Sequence, residues 1–301
     1  MDASRRRRPL GDTGRRIPDL VTIVVGWRNP TGASIRHLRT CPKCLRRIAD
    51  KPCCHQASPS SARNLTKVSI TSQFIEESGL WVIDIASVAD ETSDHYGLVK
   101  AVDDIARVGG GPAQLWIHGI TDEADAAAQA IGASAYRDLW QVRCPLPAAR
   151  STLETRAFTP ADTDALVRVN NRAFSWHPEQ SGMTRESLEA TMAEPWFNAD
   201  GFRLYERDGE LLGFCWTKVH ADMDPVHGEI YVIAVDPSAH GQGLGTPMTL
   251  AGLDWISDQG IEHALLYVES DNDPANATYR KIGFRHYRTD RAYNLTIDAS
   301  V

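Results

Sequence analysis

Nine positions in the first half of this chain meet the same or a similar residue 151 positions later, without a gap. Leu115 falls on Leu266, Trp116 on Tyr267, Ile117 on Val268, Asp122 on Asp273, Ala124 on Ala275, Ile131 on Ile282, Gly132 on Gly283, Tyr136 on Tyr287 and Arg137 on Arg288. An offset that holds through a strand, a turn and a helix does not arise from composition alone and marks an internal structural repeat. Hydrophobic periodicity agrees. Leu80–Ala86, Gln114–Ile120 and Tyr136–Val142 read as strands, alternating with helices over Gly97–Val108 and Asp122–Ile131. The same order returns as strands Gly228–Val235, Ala264–Glu269 and Arg285–Leu295 around helices Gly245–Ser257 and Pro274–Ile282. Two copies of one α/β unit are therefore expected. The second is complete from about Ser151, after the Pro145–Arg150 linker, and the first is truncated or degenerate at its start.

The 301 residues suit two domains. Charge places a further boundary: Met1–Leu65 holds twelve Arg and two Lys against four Asp, a balance of +10 in a chain of −7. The expected organisation is a basic, poorly ordered leader over 1–65, a degenerate half over 66–148 and a complete second unit over 151–301, to which the family resemblance described below assigns catalysis. The run Leu20–Trp27, broken by Thr22 and Gly26, falls far short of the ~20 apolar residues that span a bilayer. Net negative charge argues against general affinity for nucleic acid. A monomeric cytoplasmic enzyme, without nucleic acid or membrane partners, is the expectation.

Four of six cysteines lie in the leader, as Cys41-Pro-Lys-Cys44 and Cys53-Cys54-His55. A CxxC pair followed by Cys and His can close a tetrahedral zinc site, but the second pair is adjacent rather than spaced. An unstructured leader or an Arg-rich targeting segment fits the same residues, and no metal is expected. Cys144 and Cys215 sit in apolar strands and read as reduced core residues.

The chemistry is concentrated after one strand of the second copy. Glu229–Pro237 runs into Ser-Ala-His-Gly-Gln-Gly-Leu-Gly-Thr246 and then a helix. Glycines 241, 243 and 245 let backbone amides approach an anion, and a helix N-terminus adds partial positive charge. A phosphate-bearing ligand or a plain tight turn both fit this segment alone.

Val235-Asp-Pro237, His240-Gly-Gln-Gly-Leu-Gly245, an Asn-containing turn, Tyr279 and Ile282-Gly-Phe284 occur in an order that resembles the GNAT acyltransferase superfamily over Ser151–Leu295. His240 stands where that family has Gln or Arg. A narrower resemblance, to the tandem-GNAT mycothiol synthase family of actinobacteria, is carried by six further segments. They are Val169–Phe174, His177-Pro-Glu-Gln180, Glu194–Phe197, Gly213–His220, Gly228–Val232 and Leu266–Asn272. The resemblance implies tandem α/β domains with mixed, centrally splayed sheets flanked by helices. It implies acetyl transfer from acetyl-CoA, as cosubstrate, to the cysteinyl amine of the pseudo-disaccharide Cys-GlcN-Ins. It also implies site residues. Glu229 would be the general base and Tyr279 the proton donor to the leaving thiolate, both touching the acceptor. Ile233, Ala234 and Val235 would bond the pantetheine arm as an added strand. His240, Gly241, Gln242, Gly243, Leu244, Gly245 and Thr246 would hold the pyrophosphate, and Glu179 and Lys218 would contact the acceptor.

Each residue has a plainer reading. Glu229 could be an exposed strand-end carboxylate, Tyr279 a helix-face aromatic, Glu179 and Lys218 solvated charges, and Trp176, Trp196 and Trp216 core. In the first copy the offset puts Ala128 where Tyr279 stands, and Asp90, Glu91 and Asp94 near the place of the glycines. That copy is expected neither to bind acetyl-CoA nor to catalyse. A GNAT acting on another small amine or a protein N-terminus, and a non-catalytic CoA-binding module, remain alternatives.

Overall fold

The strand and helix periods of the sequence are realised in a computed structural model, which describes residues 70–76, 78–85, 91–175 and 182–300. The leader with its Cys41, Cys44, Cys53, Cys54 and His55, together with Asp90, Trp176 and Glu179, lies outside the described residues. The chain runs β1 (Ile70–Ile75), β2 (Leu80–Ile85), α1 (Glu91–Arg107), β3 (Gly111–Ile117), α2 (Asp122–Ala130) and β4 (Ser134–Pro145). It continues as β5 (Arg156–Ala157), α3 (Thr163–Ala173), α4 (Arg185–Met192), β6 (Phe202–Arg207), β7 (Glu210–His220) and β8 (His227–Val235). It ends as α5 (Gly245–Asp258), β9 (His263–Glu269), α6 (Asp273–Ile282) and β10 (Arg285–Ile297).

The repeat persists in fine detail. Asp122 and Asp273, which open α2 and α6, are 151 residues apart, as are Ser134 and Arg285, which open β4 and β10. Caps repeat too: Thr121 accepts the N–H of Ala124, and Asn272 that of Ala275, each at 3.2 Å. Either side chain satisfies an amide that the first helical turn leaves without a partner. Beyond each helix a glycine takes positive φ, Gly132 at 82° and Gly283 at 123°. The copies differ ahead of this region. The backbone is already helical at Glu91, whereas the position 151 residues later, Gln242, is still in a loop.

Two compact units result among the described residues: one is the continuous run 137–290, and the other joins the described residues up to Tyr136 with those from Arg291 onward, so the chain passes between them inside β4, at Tyr136/Arg137, and again inside β10, at Asp290/Arg291. In one unit the strand order is β1-β2-β3-β10, the contribution of β10 being Arg291–Ile297 antiparallel to β3. Tyr293 and Leu295 from that segment enter a core with Ile83, Ile85, Leu98, Ile105, Leu115 and Ile117. The Tyr293 hydroxyl donates to Asp125 of α2 at 2.6 Å.

In the other unit the order is β4-β9-β8-β7-β6-β5, with Leu139–Pro145 of β4 antiparallel to β9. One sheet face packs Cys215, Ile230, Ile233, Leu266 and Val268 with residues of α5 and α6. The other packs Phe202, Phe214, Trp216, Val232 and Ala234 with residues of α3 and α4. Helix α5 comes very close: a Cβ on Gly252 would lie 2.4 Å from the Cys215 Sγ, and one on Gly228 would lie 2.2 Å from Ile256.

Strand residues two apart normally share a face. On β8 they do not: Ile230 lies in the first core and Val232 in the second. The β7–β8 register explains it, since Trp216 faces Val232 but the next residue, Thr217, faces Ile230, which makes Tyr231 an extra residue in β8. Such a bulge bends the strand and re-aims its side chains. A second irregularity lies on the other edge of β8. It pairs in parallel with β9 only at Gly228/Ala264 and Glu229/Leu265, after which the strands separate. The sheet is mixed and splayed at its middle.

Candidate active site

The separated edges of β8 and β9 form the frame of the site. β8 is paired to β7 from His227 to Val235, and β9 to β4 from His263 to Glu269, so the backbone edges that face each other beyond Glu229 and Leu265 are the unpaired ones. Sheet edges of this kind accept an extended ligand as an added strand. Ile233, Ala234 and Val235 lie on this length of β8 and are buried.

Where β8 ends, Asp236 builds the turn. Its carboxylate accepts from the Ser238 amide at 3.0 Å and the Ser238 hydroxyl at 2.7 Å, and it pairs with Arg172 of α3. The chain then takes positive φ at Gly241 (75°) and Gly243 (73°), and a Cβ at either would meet nothing within 4 Å. The glycines therefore serve conformation and an open approach rather than close internal packing. Helix α5 follows at Gly245 with no side-chain cap from Leu244, and its first internal hydrogen bond runs from the Met248 amide to the Leu244 carbonyl at 2.9 Å. Pro247 has no N–H, so the amides that precede Met248 stand at the helix start, where an anion is favoured. His240 turns back to the strand, its Nε2 3.0 Å from the Val235 carbonyl oxygen. A cation reaches the loop from elsewhere: Arg207 donates to the Gln242 side chain at 2.9 Å.

Helix α6 carries Tyr279. Asn276 secures its first turn by donating to the carbonyls of Glu269 and Ser270, at 3.1 and 3.2 Å, where β9 ends. The Tyr279 ring is 1% exposed and meets Phe284 edge-on at 5.6 Å. Its hydroxyl has no hydrogen-bond partner among the described residues. Burial pushes the phenol well above its ordinary range, with Cys215 adding in the same direction. The group thus keeps its proton and has no acceptor for it among the described residues. A buried hydroxyl left in that state is costly and demands a functional or solvent explanation. Burial also raises the two thiols, Cys144 to about 12, so both are inert core residues.

Glu229 occupies the last position at which β8 pairs with β9. It is buried, not an exposed strand-end carboxylate, and its Oε2 lies 2.6 Å from His220 Nε2. Lys218 faces Glu229 across the ladder and holds its Nζ 4.8 Å from the Trp196 ring centroid. Trp196 is 5.7 Å from Trp216, which stacks on Phe202 at 4.4 Å. Trp216 is therefore core, while Trp196 packs against that core beneath the Lys218 ammonium.

Sequence reasoning assigned no role to His220, nor to a polar group on β4, β9 and β10. There Gln141 donates to the Tyr267 hydroxyl at 2.6 Å, Arg288 approaches the same oxygen at 3.3 Å, and Arg143 lies 3.4 Å over the Tyr287 ring. Burial raises the Tyr267 phenol to about 12. Gln141 and Tyr267 are opposite each other in the β4–β9 register, a relation that only the pairing reveals. Among the described residues no cluster of three or more His, Cys, Asp or Glu side chains is placed to hold a metal.

Comparison with known proteins gives the same frame. Residues 165–284 match the acetyltransferase (GNAT) family model. A mycothiol acetyltransferase of Actinosynnema mirum is 46% identical over 195 residues, 62% of this chain and 64% of that protein. One of Paenarthrobacter aurescens is 38% identical over 248 residues, 79% of this chain and 76% of that protein. The chain thus spans just under two thirds of the length of the first of these relatives. A solved GCN5-related N-acetyltransferase from Sphaerobacter thermophilus superposes with a TM-score of 0.59 at 14% identity, over 78% of this chain and 77% of that one, and supports the fold. With its internal repeat, splayed sheet and glycine-rich turn, this chain belongs to the mycothiol acetyltransferase family of tandem GNAT acetyltransferases.

Proposed function

We propose that the chain transfers the acetyl group of acetyl-CoA to the cysteinyl amine of Cys-GlcN-Ins, the last step in making mycothiol. The observation that carries this reading is the open edge between β8 and β9, flanked by the buried Tyr279 phenol, which has no partner among the described residues, and by the buried carboxylate of Glu229. The names of the curated relatives support the acceptor.

In this reading the amides after Val235, through His240, Gly241, Gln242, Gly243, Leu244, Gly245 and Thr246, hold the pyrophosphate. The edge of Ile233, Ala234 and Val235 holds the pantetheine arm and polarises the thioester carbonyl. Glu229 takes a proton from the acceptor ammonium, the freed amine nitrogen attacks the thioester carbon, and the carbon–sulfur bond breaks as the intermediate collapses. Tyr279 supplies a proton to the departing sulfur and regains one from the nitrogen. The sum is one ammonium and one thioester going to one amide, one thiol and one proton. Lys218 and Glu179 contact the acceptor. Residues 151–301 carry catalysis, and 66–148, with Ala128 in the place of Tyr279, do not. The enzyme acts as a cytoplasmic monomer.

A thiol-release assay with acetyl-CoA and Cys-GlcN-Ins, run beside free cysteine, glucosamine and an N-terminal peptide, tests this. Preferential release with the cysteinyl pseudo-disaccharide supports the proposal. Preferential release with another amine overturns the acceptor, and silence with every acceptor despite acetyl-CoA binding overturns catalysis in favour of a binding module.

A further inference from the structure

We infer that His220 is a positioning residue for Glu229: by donating from Nε2 to Oε2 it fixes the buried carboxylate in place and leaves Oε1 to take the proton of the acceptor amine. The inference rests on the proposed acetyl transfer and names a residue to which that reading gave no part.

Geometry carries the argument. The Glu229 side chain is 5% exposed, and its one protein partner among the described residues is the imidazole 2.6 Å away. A carboxylate that far from water is destabilised in its charged form unless a donor compensates. His220 meets that need from the end of β7, where the ladder places it two residues beyond Lys218 on the same face. Its ring is 23% exposed, and Nδ1 has no protein partner among the described residues, so that edge of the ring is open to solvent while Nε2 keeps its bond to Glu229. The bulge at Tyr231 fixes which face receives the carboxylate. With an unbroken period Glu229 would share a face with Ile233, beneath α5 and α6. With the extra residue it shares the face of Val232 and Ala234, where Lys218 and His220 stand.

Other charges bear on the pair. Lys218 faces Glu229 on the ladder, His227 faces His220 and stacks on His263 at 5.3 Å, and Arg143 and Tyr267 act from β4 and β9. All are kept in the variants below, so a change in pH response belongs to the imidazole.

The test compares His220→Ala and His220→Gln with the unsubstituted chain, measuring kcat against pH with both substrates saturating, and acetyl-CoA affinity by calorimetry. The Ala variant should lose about 10- to 100-fold in kcat near neutral pH, the scale of a lost hydrogen bond to a charged group. Its acid limb should move upward by about one pH unit or more. The Gln variant, whose amide can donate from nearly the same place, should recover most of the rate and return the limb toward its original position. Acetyl-CoA affinity should not change in either. A His220→Ala profile that superimposes on the original overturns the role of His220 while leaving acetyl transfer intact. Equal loss in Ala and Gln with an unmoved limb overturns it as well, in favour of simple packing. If the unsubstituted chain acetylates no amine, the proposed function falls and His220 falls with it.

Discussion

Replacing Tyr279 by Phe should make the protein more stable and much less active, and this opposition separates a working phenol from a packing one. The ring would keep its edge-on contact with Phe284 and its place in the core, because only the hydroxyl is removed. That hydroxyl is buried and has no partner among the described residues. Leaving a buried hydroxyl unsatisfied costs about 1–3 kcal/mol, so its removal should recover about 1 kcal/mol or more. A gain of that size raises Tm by about 2–4 °C in a unit of this length. Turnover should fall by about 10²- to 10⁴-fold, the usual worth of a positioned proton donor, equivalent to about 3–5 kcal/mol of barrier. The phenol in the unsubstituted chain, held well above its ordinary range by burial, keeps its proton through the alkaline range, so its ionisation should not limit kcat there. The assay pairs steady-state CoA release with calorimetric acetyl-CoA affinity and a urea titration. Loss of stability with unchanged turnover would refute the reasoning and make Tyr279 a structural residue. Equal losses of turnover and acetyl-CoA affinity would refute the leaving-group role alone.

Gly243→Ala should cost about 1 kcal/mol through its positive φ, with no steric clash, while a methyl group in the open approach weakens acetyl-CoA binding at least tenfold. Calorimetric affinity set against Tm checks it, and unchanged affinity refutes the loop assignment. Gly252→Ala is the converse: its Cβ would press on Cys215 and Ile230, so it should cost about 1–3 kcal/mol in urea unfolding by forcing α5 off the sheet. Asp162 lies in a bidentate pair with Arg156, which also reaches Glu206, and that bond holds its carboxyl at about 2. A depressed carboxyl contributes stability above its unfolded value and loses it as pH falls toward the folded one. Asp162→Asn should therefore cost about 1–2 kcal/mol at neutral pH, and the difference should shrink between pH 4 and 2 when unfolding is followed across that range.

The parts of this architecture legible in the sequence are those that depend on local chemistry. The 151-residue offset aligned Asp122 with Asp273, the residues that open α2 and α6; the paired caps Thr121 and Asn272 emerge in the structure, although capping is written in adjacent residues. The glycine-rich turn was legible in its own residues, whereas Tyr279 was singled out by the family resemblance. Helix α1 begins at Glu91, six residues ahead of the apolar period that announces it at Gly97, because a polar first turn has no hydrophobic signature. What could not be read was pairing. The separation of β8 from β9 beyond Glu229, the extra residue at Tyr231 and the contact of His220 with Glu229 are relations between segments, and a period of two along one strand misassigns faces wherever a bulge intervenes. Arg143, Gln141, Tyr267 and Arg288, the outermost of them 147 positions apart in sequence, became one polar group only through the β4–β9 register and its neighbour β10.

The traded ends of β4 and β10 set an order of events during synthesis. Residues 291–297, which pair with β3 and bring Tyr293 and Leu295 into its core, leave the ribosome after all the preceding strands and helices of the second copy. Until then β3 has an open edge and Asp125 lacks the Tyr293 hydroxyl. The other unit has all of its strands up to Asp290 before that moment. The portion translated first is therefore completed last, and through synthesis it exposes the edge and apolar surface on which nascent-chain aggregation begins.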